Sequence, residues 1–428
     1  MKRLSLFIIF LLLVCCKKDG CTDPRALNFN INATKDDGSC LFQEYRPNLI
    51  NTSITEDKTL SSDTIWELDG RISVLNGATL TIEPGTIIKA HSGSGSASSC
   101  LLISQEGKIN AVGTRDQPII FTTLADDIQI GEVISPNLSA SNKGMWGGVI
   151  LLGKAPGSFI GNITQCQIEG IPVIDENGLM GGNNPNHNSG IMQYVSIRHC
   201  GTDIGAGNEI NALTLGGVGD STIINNIEIY GTTDDGVEFF GGTVNASNLF
   251  IYGQGDDGID IDCGYSGRIS NSTIIQHSGD HFIEVDGPEG AMTASFELDS
   301  IYLYGDANGC DRPNLLGEIA HFRDGALGLS KNIWCVDFGL GADVELEQDV
   351  SNNYLNNSLV FENWNIQKPL DHNGDTCTII SLSDIYKDKG GSSFAQDASS
   401  WTNFINNGNN IIDSFISKEF SWTFYKNK

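Results

Sequence analysis

Three stretches of this chain fall into register: Thr233-Asp-Asp-Gly-Val-Glu-Phe-Phe240, Gly255-Asp-Asp-Gly-Ile-Asp-Ile-Asp262 and Gly279-Asp-His-Phe-Ile-Glu-Val-Asp286. Asp235 and Asp257 are 22 residues apart, and Asp257 and His281 are 24 apart. A repeat in the low twenties cannot bury its apolar face alone and stacks on its neighbours as a solenoid. Each repeat ends in an apolar/acidic alternation of period two, which predicts a strand with one buried face and one carboxylate face. The same residues therefore propose both the architecture and the site.

The rest of the chain agrees. The 428 residues include 50 Gly, and an ordinary 39% are hydrophobic. Short apolar runs punctuated by Gly, Asn and Asp favour an all-β chain. The net charge of −28 repels nucleic-acid phosphate, so no nucleic-acid partner is expected. It suits divalent cations and neutral ligands. No phosphate loop or nucleotide motif is present, so no organic cofactor is expected.

At the N-terminus, Met1-Lys2-Arg3 precedes an apolar run from Leu4 to Val14, which is too short for a permanent membrane span. The run ends in Cys15-Cys16 and resembles a bacterial lipoprotein signal. That resemblance implies cleavage after residue 15, acylation of Cys16, and a membrane partner reached through the lipid. Residues 20–42 (Gly-Cys-Thr-Asp-Pro … Asp-Asp-Gly-Ser-Cys-Leu-Phe) resemble a short module of Bacteroidetes exported proteins. A segment this small has almost no core, and a Cys21–Cys40 disulfide would hold it by restricting the unfolded chain. Cys100, Cys166, Cys200, Cys263, Cys310, Cys335 and Cys377 are left without an assigned pairing.

From about Thr52, strands of four to six residues alternate with Gly- and Asn-rich corners, as in Gly77-Ala-Thr-Leu-Thr-Ile-Glu-Pro-Gly-Thr-Ile-Ile-Lys89. With Trp146-Gly-Gly-Val-Ile-Leu-Leu-Gly-Lys-Ala-Pro156 and Asn208-Glu-Ile-Asn-Ala-Leu-Thr-Leu-Gly-Gly-Val-Gly219, these blocks resemble Bacteroidetes right-handed parallel β-helix lipoproteins over roughly residues 52–345. The resemblance implies the fold and an outer-membrane location, and it implies no particular reaction. The expected organisation is a signal peptide at 1–15, a lipid tether with the disulfide module at 16–45, a right-handed parallel β-helix at 46–345, and last coils with a C-terminal cap at 346–428. Segments 124–143 and 155–188 break the period and are expected as loops leaving one corner. A short amphipathic helix is expected at Ser399 to Ile405.

Stacking the repeats defines columns. Asp234, Asp256 and Asp280 form one column, and Asp235, Asp257 and His281 the next. The pairs Val237/Phe239, Ile259/Ile261 and Ile283/Val285 point inward. Glu238, Asp260 and Glu284 point outward, as do Phe240, Asp262 and Asp286. Rungs of a parallel β-helix are about 4.8 Å apart. Carboxylates at that spacing repel by about 1 kcal/mol in water, and by several times that at an effective dielectric of about 20. A bridging cation, a shared proton or full solvation relieves this.

Three readings follow. In the first, the outward acids Glu238, Asp260, Glu284, Asp262 and Asp286 hold a ligand, a glycan foremost, with Ca²⁺ on Asp234, Asp256 and Asp280. An outer-membrane transporter is then the candidate protein partner. In the second, the grid serves a polysaccharide hydrolase or lyase, since the stretches resemble polygalacturonase sites. Asp257 then implies the general acid, Asp235 and Asp256 water activation, and His281 tuning of the acid. The chain departs from that family in having Gly-Asp-His-Phe in place of Gly-His-Gly, and Arg312 stands isolated where a basic pair belongs. In the third, the acids are solvated corner residues of a structural envelope protein. His277 is a further metal-ligand type, and Trp146 and Phe240 are candidate sugar platforms or core fillers.

Overall fold

The computed structural model describes residues 17–24, 26–41, 46–93, 95–205, 208–276, 279–305, 317–339, 341–369 and 380–427. The expected signal peptide, Cys16, His277, Cys310, Arg312 and Cys377 lie outside these residues. The chain divides into two units, one ending at Pro47 and the other running from Asn48 to Lys428. In the first unit, Cys21 and Cys40 are disulfide-bonded. Asp36 and Asp37 there turn inward on their own loop and accept from the N–H groups of Gly38 and Ser39.

The second unit is a right-handed parallel β-helix. Its described strands form a 10-stranded sheet and a 15-stranded sheet, apart from two small hairpins. The main-sheet pairings are parallel. In the 10-stranded sheet, Leu213, Val237, Ile259 and Ile283 stack in one column, followed by Ala320, Val344 and Tyr386. All are buried, as are Phe239, Ile261 and Val285, so the predicted inward set fills the core.

The longer sheet bends on itself. Its strands Gly190–Cys200, Ile223–Thr232, Asn245–Tyr252, Arg268–Ile275, Phe296–Tyr304, Gly328–Val336 and Leu359–Ile366 each carry a residue at positive φ in the strand interior that shares one register column. These are Tyr194, Asn226, Asn248, Asn271, Ser300, Asn332 and Asn363, all between φ 50° and 62°. The strand register places them above one another. Asn visits the left-handed region at low cost because its short polar side chain satisfies nearby backbone. The column therefore turns each strand into two legs, and each coil is a triangle of three short β segments.

The two insertions leave different corners, contrary to the single corner expected. Residues 124–143 follow the long-sheet strand Ile119–Thr123, whereas 155–188 follow the 10-stranded-sheet strand Val149–Leu152. Composition marks a loop but carries no information about which edge it departs from.

At the C-terminal end, coiling persists beyond residue 345. Tyr386–Asp388 pairs with Val344–Leu346, and Thr402–Phe404 with Leu359–Ile366. The expected helix at Ser399 to Ile405 is instead a 3₁₀ turn, Ala398–Ser400, and that strand. Phe361, Trp364, Tyr386, Phe394 and Trp401 pack ring on ring in this last part of the core. The following helix, Gly408–Glu419, lies on the outer face of the long sheet, over Phe250, Ile275 and Val336. Phe415 stacks 4.0 Å from Tyr302, and the N–H of Tyr425 donates to Glu228 Oε1 at 3.1 Å. This segment is a lateral strap, so burying an apolar flank outweighed covering a strand edge.

Candidate functional site: a carboxylate and histidine face

The outer side of the 10-stranded sheet carries the columns. Glu238, Asp260 and Glu284 are register partners, and the column continues through His321 and Glu345. At the adjoining corner Asp235, Asp257 and His281 follow one another, and His281 pairs with Glu318. The corner is linked through main chain. The N–H of Asp257 donates to Asp235 Oδ1, and that of His281 to Asp257 Oδ1, each at 2.8 Å. Above them the N–H of Asp235 donates to Asn211 Oδ1 at 3.3 Å. The corner leaves no room for a side chain at Gly255, where a Cβ would lie 1.9 Å from the Thr233 carbonyl oxygen.

Burial makes this face unusual. Asp235 and Glu238 are each 7% exposed, Asp257 3% and Glu284 8%. Carboxylates this deep are rare unless paired. Desolvation is the largest cause of the upward shifts. With the charges of Glu284 and Asp256, it pushes Asp257 to about 9. With Asp235, it pushes Asp234 to about 9. Asp235, Glu238 and Asp260 are pushed well up, first by desolvation and then by neighbouring charge: Asp257 on Asp235, Asp235 on Glu238, and Glu238 and Asp235 on Asp260. Glu284 moves the other way, to about 2: its burial is outweighed by His321, His281 and Arg323. His321 in turn rises to about 9, chiefly through Glu284. Asp286 pairs with Arg323 through two bonds, one of 2.8 Å.

Two groups of acids meet the spatial requirement for a hard cation. Ligand oxygens of Asp235, Glu238 and Asp260 lie within 4.8 Å of one another, as do those of Glu209, Asp234 and Asp256. Two oxygens bound at about 2.4 Å to one Ca²⁺ are at most about 4.8 Å apart. Of the predicted set Asp234, Asp256 and Asp280, the first two come together, and Glu209 completes the group. Asp260 Oδ1 is buried and has no hydrogen-bond partner.

The insertion after Leu152 walls one side. Phe159, Ile168, Ile171 and Met180 pack over Phe240 and Cys263, so Phe240 is a packing residue beneath the insertion. A cleft of about 460 Å³ remains between this wall and Asp262, Cys263 and Glu289. Desolvation brings Asp262 to about 7. Trp146 is fully buried in the main core, with its Nε1–H donating to Arg198 O, and is no sugar platform.

Comparison with known families adds one finding: the pectate-lyase-like β-helix domain matches residues 52–406. The chain belongs to this family. For the pectate-lyase-like β-helix protein this is consistent with a carbohydrate-related role and with the predicted fold. No curated protein and no solved structure matches the chain.

His321, Glu318 and Glu345 were missed in the sequence. They lie 34 residues or more beyond Glu284, outside the 22- and 24-residue steps. The available signal was the alternation Ile319-Ala-His-Phe-Arg323, which has the same inward and outward order.

Proposed function

We propose that this pectate-lyase-like β-helix protein binds a carbohydrate at the cell envelope, using Ca²⁺ held by Asp235, Glu238 and Asp260. The observation that carries the reading is the buried, in-register carboxylate column with the unpartnered Asp260 Oδ1. A Ca²⁺ there converts mutual repulsion into coordination and keeps open positions for hydroxyl or carboxylate oxygens of a sugar. The cleft beside Asp262 offers apolar surface on one wall and acids on the other, as saccharide rings require. The acidic charge disfavours uronate polymers without cations, so the ligand is a neutral glycan or a cation-bridged one.

Anchorage through an acylated Cys16 at the outer membrane, beside a transporter, completes the proposal. Two measurements test it. Ca²⁺ should raise the melting temperature, and this rise should vanish in a Glu238→Gln, Asp260→Asn variant. Glycan binding on an array should require Ca²⁺. Binding that is indifferent to both Ca²⁺ and the variant overturns the reading. For the anchor, Cys16→Ala should move the protein from the detergent phase to the aqueous phase.

A second reading, hydrolysis, draws on Asp257. Its elevated pKa keeps a proton available at neutral pH, and His281 Nδ1 lies 2.8 Å from its Oδ1. Asp235 and Asp256 would then activate water. Release of reducing ends from polysaccharides, abolished by Asp257→Asn, would support it.

A further inference from the structure

One cluster on the face differs in chemistry from the all-oxygen groups. His281 and His321 stand on consecutive rungs of the 10-stranded sheet, with ring centres 5.3 Å apart. Glu284 lies between them. Its Oε1 is 3.8 Å from His281 Nδ1 and 3.4 Å from His321 Nδ1. That oxygen is buried, on a side chain 11% exposed, and has no hydrogen-bond partner, with Arg323 Nε 3.5 Å away. Asp257 Oδ1 approaches the same His281 Nδ1 at 2.8 Å. The far side of His321 repeats the pattern: its Nε2 is buried without a hydrogen-bond partner, 3.6 Å from Glu345 Oε1 and 3.4 Å from Glu347 Oε1.

Ligands at about 2.0–2.1 Å around a tetrahedral Zn²⁺ are about 3.3–3.4 Å from one another. Glu284 Oε1 lies at that separation from His321 Nδ1, 3.4 Å, and somewhat farther from His281 Nδ1, 3.8 Å, both beyond ordinary hydrogen-bond length. Two imidazoles with a carboxylate select a borderline transition metal over Ca²⁺, which takes oxygen donors. We propose that His281, Glu284 and His321 form a three-residue Zn²⁺-class site joining two rungs of the β-helix, with Asp257 holding His281 by its hydrogen bond. The metal supplies a close bond to Glu284 Oε1, which His281, His321 and Arg323 flank only at 3.4–3.8 Å. The site is separate from the Asp235, Glu238 and Asp260 group, and it stands whether or not that group binds Ca²⁺.

The experiment is metal titration of the full chain after chelator treatment, with Zn²⁺ read by calorimetry and Co²⁺ by visible absorption. One saturable Zn²⁺ site is expected, together with the intense d–d bands of tetrahedral Co²⁺. His281→Asn with His321→Asn should weaken Zn²⁺ at least 100-fold, and Glu284→Gln 10- to 100-fold. Glu238→Gln with Asp260→Asn should leave Zn²⁺ affinity within about threefold, so loss of the Ca²⁺ effect and loss of Zn²⁺ binding are separable. If the double histidine variant fails to fold, the wild type decides. Zn²⁺ should protect His281 and His321 from acylation by diethylpyrocarbonate, read by peptide mass spectrometry. No saturable Zn²⁺ binding, octahedral Co²⁺ spectra, or protection of other histidines instead would overturn the proposal.

Discussion

His281 binds Asp257 twice through a single oxygen: its main-chain N–H and its Nδ1 both reach Asp257 Oδ1 at 2.8 Å. This joins consecutive coils at the corner where the acids gather. An amide oxygen can accept the main-chain bond in the same place, whereas a methyl group cannot. Asp257→Asn should therefore fold with little loss. Asp257→Ala leaves the buried His281 N–H unpaired and should cost about 1–3 kcal/mol more in urea denaturation. Equal stabilities of the two variants would show that the corner does not depend on this acceptor.

The ionisable face sets the pH profile of the metal-free protein. Asp257 rises from 3.8 to about 9 in the fold, so the folded state holds a proton that the unfolded state has lost. Its contribution is full below about pH 4 and is lost as pH rises to about 9. His321, raised from 6.5 to about 9, acts in the same direction, with its contribution lost above about pH 6.5. Glu284 is depressed from 4.5 to about 2, so its contribution is present above about pH 4.5 and is lost as pH falls to about 2. Melting temperature in chelator should peak near pH 4–5 and decline towards pH 9. A divalent cation should flatten the alkaline decline, since it replaces the lost protons. A profile that rises from pH 5 to 9 in chelator would contradict these assignments.

The bend column can be probed at Asn248, which has φ 56°. Asn248→Gly should leave stability within about 0.5 kcal/mol, because Gly enters this region freely. Asn248→Val forces a β-branched residue into the left-handed region and should cost about 1–2 kcal/mol or more. Calorimetric melting of the two variants provides the comparison. A tolerated Val would mean that the bend is not held at this residue.

The lateral strap should behave as part of the folded body. Phe420 is fully buried, 5.1 Å from Phe250 and in one cluster with Ile412 and Ile416. Phe420→Ala should cost about 3–5 kcal/mol if the strap melts with the coils. If the strap opens on its own, the same change should leave the main transition in place and make residues 408–427 the first site of limited proteolysis.

The inward set was legible from local pattern, although the expected helix at Ser399 to Ile405 was not borne out. Val237, Phe239, Ile259, Ile261, Ile283 and Val285 lie inside because period-two alternation between corner residues admits one inward set. The step between Asp235, Asp257 and His281 equals the coil length there, so their stacking was visible before any coordinates. The bend column left a trace in Asn226, Asn248 and Asn271, at nearly the same spacing, but an Asn inside a strand has the same spelling as an exposed one. Arg198 and Glu228, both buried with Arg198 Nη2 3.7 Å from Glu228 Oε2, had no such trace: the strap that covers them arrives from nearly 200 residues away.

The sequence alone therefore determined the solenoid, its inward residues and the vertical order of the acids within regular coils, because each depends on interactions within one repeat and the next. Only the tertiary structure decided how deeply those acids lie, that Glu284 meets two histidines, and where the insertions and the C-terminal helix come to rest. Those outcomes depend on which distant segments exclude water from a given rung. Solvent exclusion is a property of the packed molecule, and no local pattern encodes it.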